Sequence, residues 1–194
     1  VGHMKKLALL CACFLAVNLV FSQPVKKRIT AVEVTRAPKI DGILDEPAWQ
    51  SAPVATDFVQ RQPFVGKPAV FSSEVRFLYD NTGVYVGAML YDAYPDSIPQ
   101  QMGLRDATSL NADNFIFIIN PFNDGLNAFC FMVFASDVQV DFKLSGASAN
   151  DDYTWDAVWT SKARKNEKGW AVEMFIPYSA IRFPLKPVQE WGMN

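Results

Sequence analysis

The chain has 194 residues, 18 basic and 20 acidic, and half of its positions are hydrophobic. A net charge of −2 offers no basic face for phosphates, which argues against a nucleic-acid partner. The only histidine is His3, so neither histidine-dependent catalysis nor a histidine-ligated zinc site can be built.

Met4-Lys5-Lys6 forms a short basic start, Leu7 to Val20 is apolar, and Phe21-Ser22-Gln23 suits cleavage. This reads as a secretory signal peptide and is too short for a membrane span. Val1-Gly2-His3 reads as a cloning scar or upstream readthrough. A lipoprotein reading on Cys11 or Cys13 lacks a small-residue context. Residues 1–23 are thus set apart, and 24–194 are expected to form one domain. Without Lys5 and Lys6 the basic residues number 16 against 20 acidic, a net −4. Cys130 is then the sole cysteine, which leaves no internal disulfide, and its apolar run reads as a buried, inert thiol.

Ile29 to Arg36 alternates and is rich in β-branched residues, predicting a first strand. Asp41-Gly42 signals a turn. Asp45 suits a helix N-cap, Glu46 favours the positive end of the helix dipole and Pro47 fits a first turn, predicting one short helix to Ser51 with Trp49 inward. Thr56 to Gln62 reads as an edge strand. Ser73 to Tyr79 alternates, with Val75, Phe77 and Tyr79 on one face and Glu74 and Arg76 on the other. Asp80-Asn-Thr-Gly83 is a turn and Val84 to Asp92 the return strand. Asn114 to Asn120 is continuously apolar in its middle, as a sandwich-centre strand would be. Pro121-Phe-Asn-Asp-Gly125 is a hairpin turn. Ala128 to Ala135 and Val138 to Leu144 are further strands, and Ser145 to Asp152 is small and polar.

Trp155 to Phe183 reads as one more hairpin. Trp155, Ala157 and Trp159 share one face of its first strand, and Trp170, Val172, Met174 and Ile176 share one face of its second. Lys165 to Gly169 is the turn, and Pro177 closes the ladder. Its three tryptophans are either a core plug or a ring-stacking platform. Period-2 spacing turns Trp155 and Trp159 toward the core. Short strands separated by turns, with one or two short helical turns, predict an all-β, immunoglobulin-like or jelly-roll-type antiparallel β-sandwich. Trp191-Gly-Met-Asn194 lacks tail character, so the chain is expected to be part of a longer protein.

Several spaced motifs, in order, resemble carbohydrate-binding module family 9 and its relatives. They are Lys39-Ile-Asp-Gly-x-Leu-Asp-Glu-x-x-Trp49, Ser73-Glu-Val-Arg-x-Leu-Tyr-Asp80, Val84-Tyr-Val-Gly87, Asp113-Asn-Phe and Pro121-Phe-Asn-Asp-Gly125. Val138-Gln-x-Asp141, Trp155-Asp-Ala-Val-Trp159, Gly169-Trp-x-x-Glu173, Ile176-Pro177 and Ile181-Arg-Phe-Pro184 complete the set. The likeness covers about Val34 to Asn194. It resembles the versions at the N-terminus of exported bacterial proteins with a long uncharacterised C-terminal region, for which the resemblance implies an outer-membrane β-barrel as one expectation. Phe134-Ala-Ser-Asp137 departs from the Asn-Pro-x-Gly-like turn usual there. The resemblance implies a β-sandwich that binds sugar, in the best-known members between two tryptophans, with calcium supporting the loops. That tryptophan pair has no residue-by-residue counterpart here.

Sugar recognition needs a flat apolar ring for the C–H face and polar groups for the hydroxyls. Tyr153 and Trp155 are candidate rings. Arg105, Asp106, Asn111, Asp113 and Asp156 are candidate hydroxyl partners, each with an ordinary turn or solvated-charge role as the alternative. No cofactor is required. Calcium is possible at Asp80, Asp124 and Asp152, whose spacing matches no calcium loop. No catalytic residue is assigned: no carboxylate pair is marked for glycoside hydrolysis, and Glu173 is expected to pair structurally, with Arg182 as its partner. The expected function is an exported, non-catalytic domain that holds a glycan or polysaccharide for a larger envelope protein. Its expected location is the periplasm, outer membrane or surface of a Gram-negative bacterium, with the C-terminal region of its own full-length chain as a partner. Two alternatives stay open: a structural or interaction domain without sugar binding, and an accessory domain of a glycoside hydrolase.

Overall fold

The computed structural model describes residues 26–146 and 151–194. The expected signal peptide and the polar stretch 147–150 fall outside the described residues. The elements are β1 (Val32–Glu33), α1 (Pro47–Ser51), β2 (Ser73–Tyr79), β3 (Gly83–Tyr91), β4 (Asn114–Asn120), β5 (Asn127–Phe134), β6 (Gln139–Ser145), β7 (Thr160–Asn166), β8 (Gly169–Pro177) and β9 (Gly192–Met193). Single 3-10 turns occur at Pro95–Ser97 and Tyr178–Ala180.

The strands form two sheets, β1-β2-β3-β8-β7 and β6-β5-β4-β9. Alternation along each strand puts apolar residues on facing sides. Val75, Phe77, Val86, Ala88, Val172, Met174 and Ile176 of the first sheet meet Phe117, Ile119, Phe131 and Val133 of the second in one buried core. Each outer face carries a smaller cluster. Trp49, Ala52, Leu78 and Tyr85 fill one between the first sheet and the N-terminal segment. Cys130, Met132, Phe134, Val140 and Phe142 fill the other, with Leu110 and Ala112 of the loop before β4 packed against it. Cys130 is fully buried, and burial pushes its thiol up to about 12.

Several boundaries differ from the sequence expectation. The first strand shrinks to two residues and runs parallel to β2, pairing Val32 with Leu78, so the sandwich is not wholly antiparallel. Thr56 to Gln62 forms no strand; isolated bridges join Ala55 to Val75 and Val59 to Pro68 instead. The α1 N-cap is Glu46, one residue later than Asp45, and its side chain makes no cap bond. It accepts the Lys39 amide at 2.9 Å instead.

The last hairpin exists, but its first strand is Thr160–Asn166 and pairs with β8 from Thr160↔Phe175 to Asn166↔Gly169. Trp155 to Trp159 approaches as irregular chain outside any ladder. Asp141 supplies what a neighbouring strand would have supplied. Its Oδ2 accepts the Ala157 amide at 2.7 Å and its Oδ1 accepts the Trp159 indole N–H at 3.0 Å. Trp159 and Trp170 are buried in the core, as the spacing predicts.

Candidate functional site

Glu173 lies on the outer face of β8 and is completely buried. Its partner is not Arg182. Oε2 accepts the amides of Asp41 and Gly42 at 2.8 and 2.7 Å, and Oε1 accepts the Trp49 indole N–H at 2.9 Å. Burial pushes this carboxyl above the usual carboxylate range, and the Asp41, Gly42 and Trp49 donors pull it partly back. One side chain thus pins both the 41–42 turn and the α1 tryptophan to the sheet. Gly42 has φ +80°, and a Cβ there would come within 2.9 Å of the Arg164 Cβ, so this turn requires glycine. A Cβ on Gly87 would lie 2.7 Å from Leu44 and 3.0 Å from the Trp49 ring, so that glycine lets the tryptophan sit flush on β3.

The seated segment forms one wall of a groove of about 450 Å3 across the first sheet. Its floor follows from register. Glu74 of β2 faces Met89 of β3, Met89 faces Ala171 of β8, and Ala171 faces Arg164 of β7. One step along, Tyr91 faces Gly169 and Gly169 faces Asn166. Small residues at 169 and 171 leave a trough between the long side chains of the flanks. Tyr91 is partly exposed, and Arg164 and Asn166 are exposed. Arg76 donates to Glu74 at 2.9 Å, which orients both over the groove. Burial, then the Glu74 charge, raises the Tyr91 phenol above its ordinary value, keeping it a neutral donor at physiological pH.

The residues singled out from sequence fall into separate places. Arg105, Asp106 and Asp156 come together around Asp141, which is buried at the inward face of β6. Arg105 donates to Asp141, to Gln139 Oε1 at 2.7 Å, to Asp156 at 3.1 Å and to the Ala157 carbonyl at 2.9 Å. Burial raises the Asp141 carboxyl, opposed by Trp159, Ala157 and Arg105. Asn111 and Asp113 sit apart, at the base of the same loop, where the Asn111 amide donates to Gln101 Oε1 at 2.7 Å and the Asp113 amide to the Pro99 carbonyl. Tyr153 is 48% exposed and stacks on Phe142. Trp155 is partly buried beside Phe129 and Phe131 and lines a second cavity.

The three calcium candidates occupy separate turns. Asp80 Oδ1 accepts from Thr82 N, Thr82 Oγ1 and Gly83 N, and its Oδ2 from the Tyr85 hydroxyl. Burial alone would raise this carboxyl; those donors hold it below the usual range. Asp124 accepts from the Leu126 amide and the Asn120 side chain, and Asp152 from Thr154, and each is lowered by those bonds. They build no common cage, and among the described residues no group of three His, Cys, Asp or Glu side chains is arranged to hold a metal ion.

The groove was missed in the sequence because it is a product of register. The available signal was the polar pair Glu74 and Arg76 on the outer face of β2, opposite strands carrying small residues at 87, 169 and 171.

Two sheets packed face to face, with a mostly apolar trough flanked by Glu74, Arg76, Arg164 and Asn166 on one of them, make a β-sandwich. The chain belongs to the carbohydrate family 9 binding domain-like family, whose model matches residues 40–194. The same fold is seen in a carbohydrate binding module family 9 from Caldicellulosiruptor kristjanssonii in complex with glucose. That likeness has a TM-score of 0.52 at 16% identity and covers 84% of this chain and 75% of that one. The module from the same organism in complex with cellotriose gives a TM-score of 0.55 at 16% identity, covering 86% and 74%. No curated protein matches the chain significantly.

Proposed function

We propose that this chain is a non-catalytic carbohydrate-binding domain and that its sugar site is the groove across β2, β3, β8 and β7. The observation that carries the reading is the placement of the Tyr91 ring beside Glu74, Arg76 and Asn166 over a floor of Met89 and Ala171. A pyranose presents an apolar C–H face and a ring of hydroxyls, and these groups supply a flat ring, a carboxylate, a guanidinium and an amide. Family membership and relatives seen with glucose and cellotriose support the ligand class. Glycoside hydrolysis would need two opposed carboxylates, whereas the groove holds Glu74 alone, tied to Arg76.

Within the same reading, the cluster of Arg105, Asp106 and Asp156 around Asp141 is the rival location, while Asn111, Asp113 and Tyr153 lie outside it. Calorimetric titration with glucose, cellotriose and a polysaccharide panel, with and without calcium, tests the function. Tyr91→Ala and Asp156→Ala locate the site, since only the variant at the true site loses binding. The apolar run after Met4-Lys5-Lys6 supports an exported protein, held in the periplasm, outer membrane or cell surface of a Gram-negative bacterium. There the domain would hold a glycan for a larger envelope protein. A second reading, a protein-interaction domain, is favoured by the loop between α1 and β2, which exposes Phe58, Val59, Phe64, Val65, Val70 and Phe71. Absence of heat with every glycan would leave that reading standing.

A further inference from the structure

At one open end of the sandwich, the β5–β6 pair faces the turn that follows β8 across a cavity of about 450 Å3. Its walls include Phe129, Trp155, Lys143, Ser179 and Arg182. Lys143 is paired with Phe129 in the ladder, so its side chain projects from the inward face of β6, next along from the buried Asp141. Its ammonium lies 4.9 Å from the centre of the Trp155 ring and 5.8 Å from that of Phe129. The two rings lie 5.1 Å apart, so the lysine rests on a continuous aromatic wall.

A cation held against aromatic rings is stripped of part of its water, which strengthens its attraction to an incoming anion. Among the described residues neither Lys143 nor Arg182 has a carboxylate within ion-pairing distance. Residues 147–150 are Ala-Ser-Ala-Asn and bring no carboxylate. The carboxylate that feels Lys143 is that of Asp152, which already accepts both donors of Thr154. Two cations and a hydroxyl around one aromatic-walled space suit a carboxylate attached to a ring.

We propose that this cavity is a second ligand site, selective for a carboxylated sugar such as a uronic acid residue. The carboxylate sits between the Lys143 ammonium and the Arg182 guanidinium, Ser179 Oγ donates to it, and the sugar ring lies toward Trp155. The choice of a sugar rests on the carbohydrate-binding reading; the selection for negative charge does not.

Glucuronic acid, galacturonic acid oligomers, glucose, cellotriose and sodium acetate are titrated into the full chain by calorimetry and by NMR. The variants are Lys143→Met, which keeps the stem on the rings, Arg182→Met and Tyr91→Ala. Glucuronic acid is expected to bind more tightly than glucose, to weaken with added salt, and to lose about tenfold in affinity in Lys143→Met and in Arg182→Met. Tyr91→Ala should leave uronate binding intact. Uronate binding that equals glucose binding overturns the proposal, as does uronate binding abolished by Tyr91→Ala or unmoved in both cation variants. Acetate binding equal to glucuronate binding also overturns it, by reducing the site to one for any anion. Cellotriose binding without uronate binding sinks this site alone; uronate binding without cellotriose binding sinks the groove alone.

Discussion

Glu173 Oε1 accepts the Trp49 indole N–H at 2.9 Å across 124 residues of sequence. With the Asp41 and Gly42 amides on its other oxygen, this carboxylate fixes the groove wall to the sheet. Glu173→Gln puts an amide NH2 where an acceptor oxygen faces an N–H donor. It is expected to cost about 3 kcal/mol, as breaking one partner of a buried charged network does. Urea denaturation followed by tryptophan fluorescence reads the loss. A double-mutant cycle with Trp49→Phe should return a coupling of about 1 kcal/mol, and strict additivity would contradict the bond's role.

The same carboxyl predicts a pH dependence. Burial raises Glu173 and Asp141 above the usual carboxylate range. The native state then binds their protons more tightly than the unfolded chain does. The stabilising contribution is complete below the unfolded value, near pH 4, and is lost as pH rises through the raised folded value. Asp80, Asp124 and Asp152 are lowered and act in the opposite sense. The informative quantity is therefore the stability difference between wild type and Glu173→Gln, measured from acid to neutral pH. It should shrink as pH rises; a difference that grows would reverse the assignment.

Tyr91 projects from the outer face of β3 and is not part of the main core. Tyr91→Ala is expected to leave the melting temperature nearly unchanged and to weaken cellotriose binding three- to tenfold, about 0.5–1.5 kcal/mol for one lost ring. Isothermal titration of both proteins checks this, and equal affinities would move the sugar away from the groove.

The turn carboxylates make a further test. Calcium chloride and EDTA should give the same melting temperature, because Asp80, Asp124 and Asp152 already accept donors of their own turns. Asp80→Ala, which also strands the Tyr85 hydroxyl, should cost about 1–2 kcal/mol with or without calcium. A calcium-dependent rise that disappears in Asp80→Ala would assign that turn to the metal.

Cys130 should resist alkylation. With its thiol pushed up to about 12 and its side chain buried, the thiolate is scarce and shielded. Peptide mapping after iodoacetamide treatment should find Cys130 unmodified in native protein and modified in guanidinium.

Where alternation governs, the sequence spoke plainly. Val75, Phe77, Val172, Met174 and Ile176 reached the core they were expected to fill, and the turns at Asp80 and Asp124 formed where the Asp, Asn and Gly residues stand. Trp155 to Trp159 misled because Trp-Ala-Trp at every second position has a strand's period. The segment joins no ladder, and Asp141 rather than a strand satisfies Ala157. The groove was illegible for another reason. Glu74, Met89, Ala171 and Arg164 become neighbours only through three independent strand registers, and nothing local marks them as a set.

The bonds from Glu173 to residues 41, 42 and 49 also have a meaning in time. A chain leaving the ribosome releases residues 41–51 early, yet it cannot seat them until Glu173 has emerged, 131 residues after Gly42. Every shorter nascent chain carries Trp49 without its anchor and β7 without its partner. The groove wall is therefore a late feature in the life of the molecule. Loss of the N-terminal segment would remove that wall of the groove, and β1 with it.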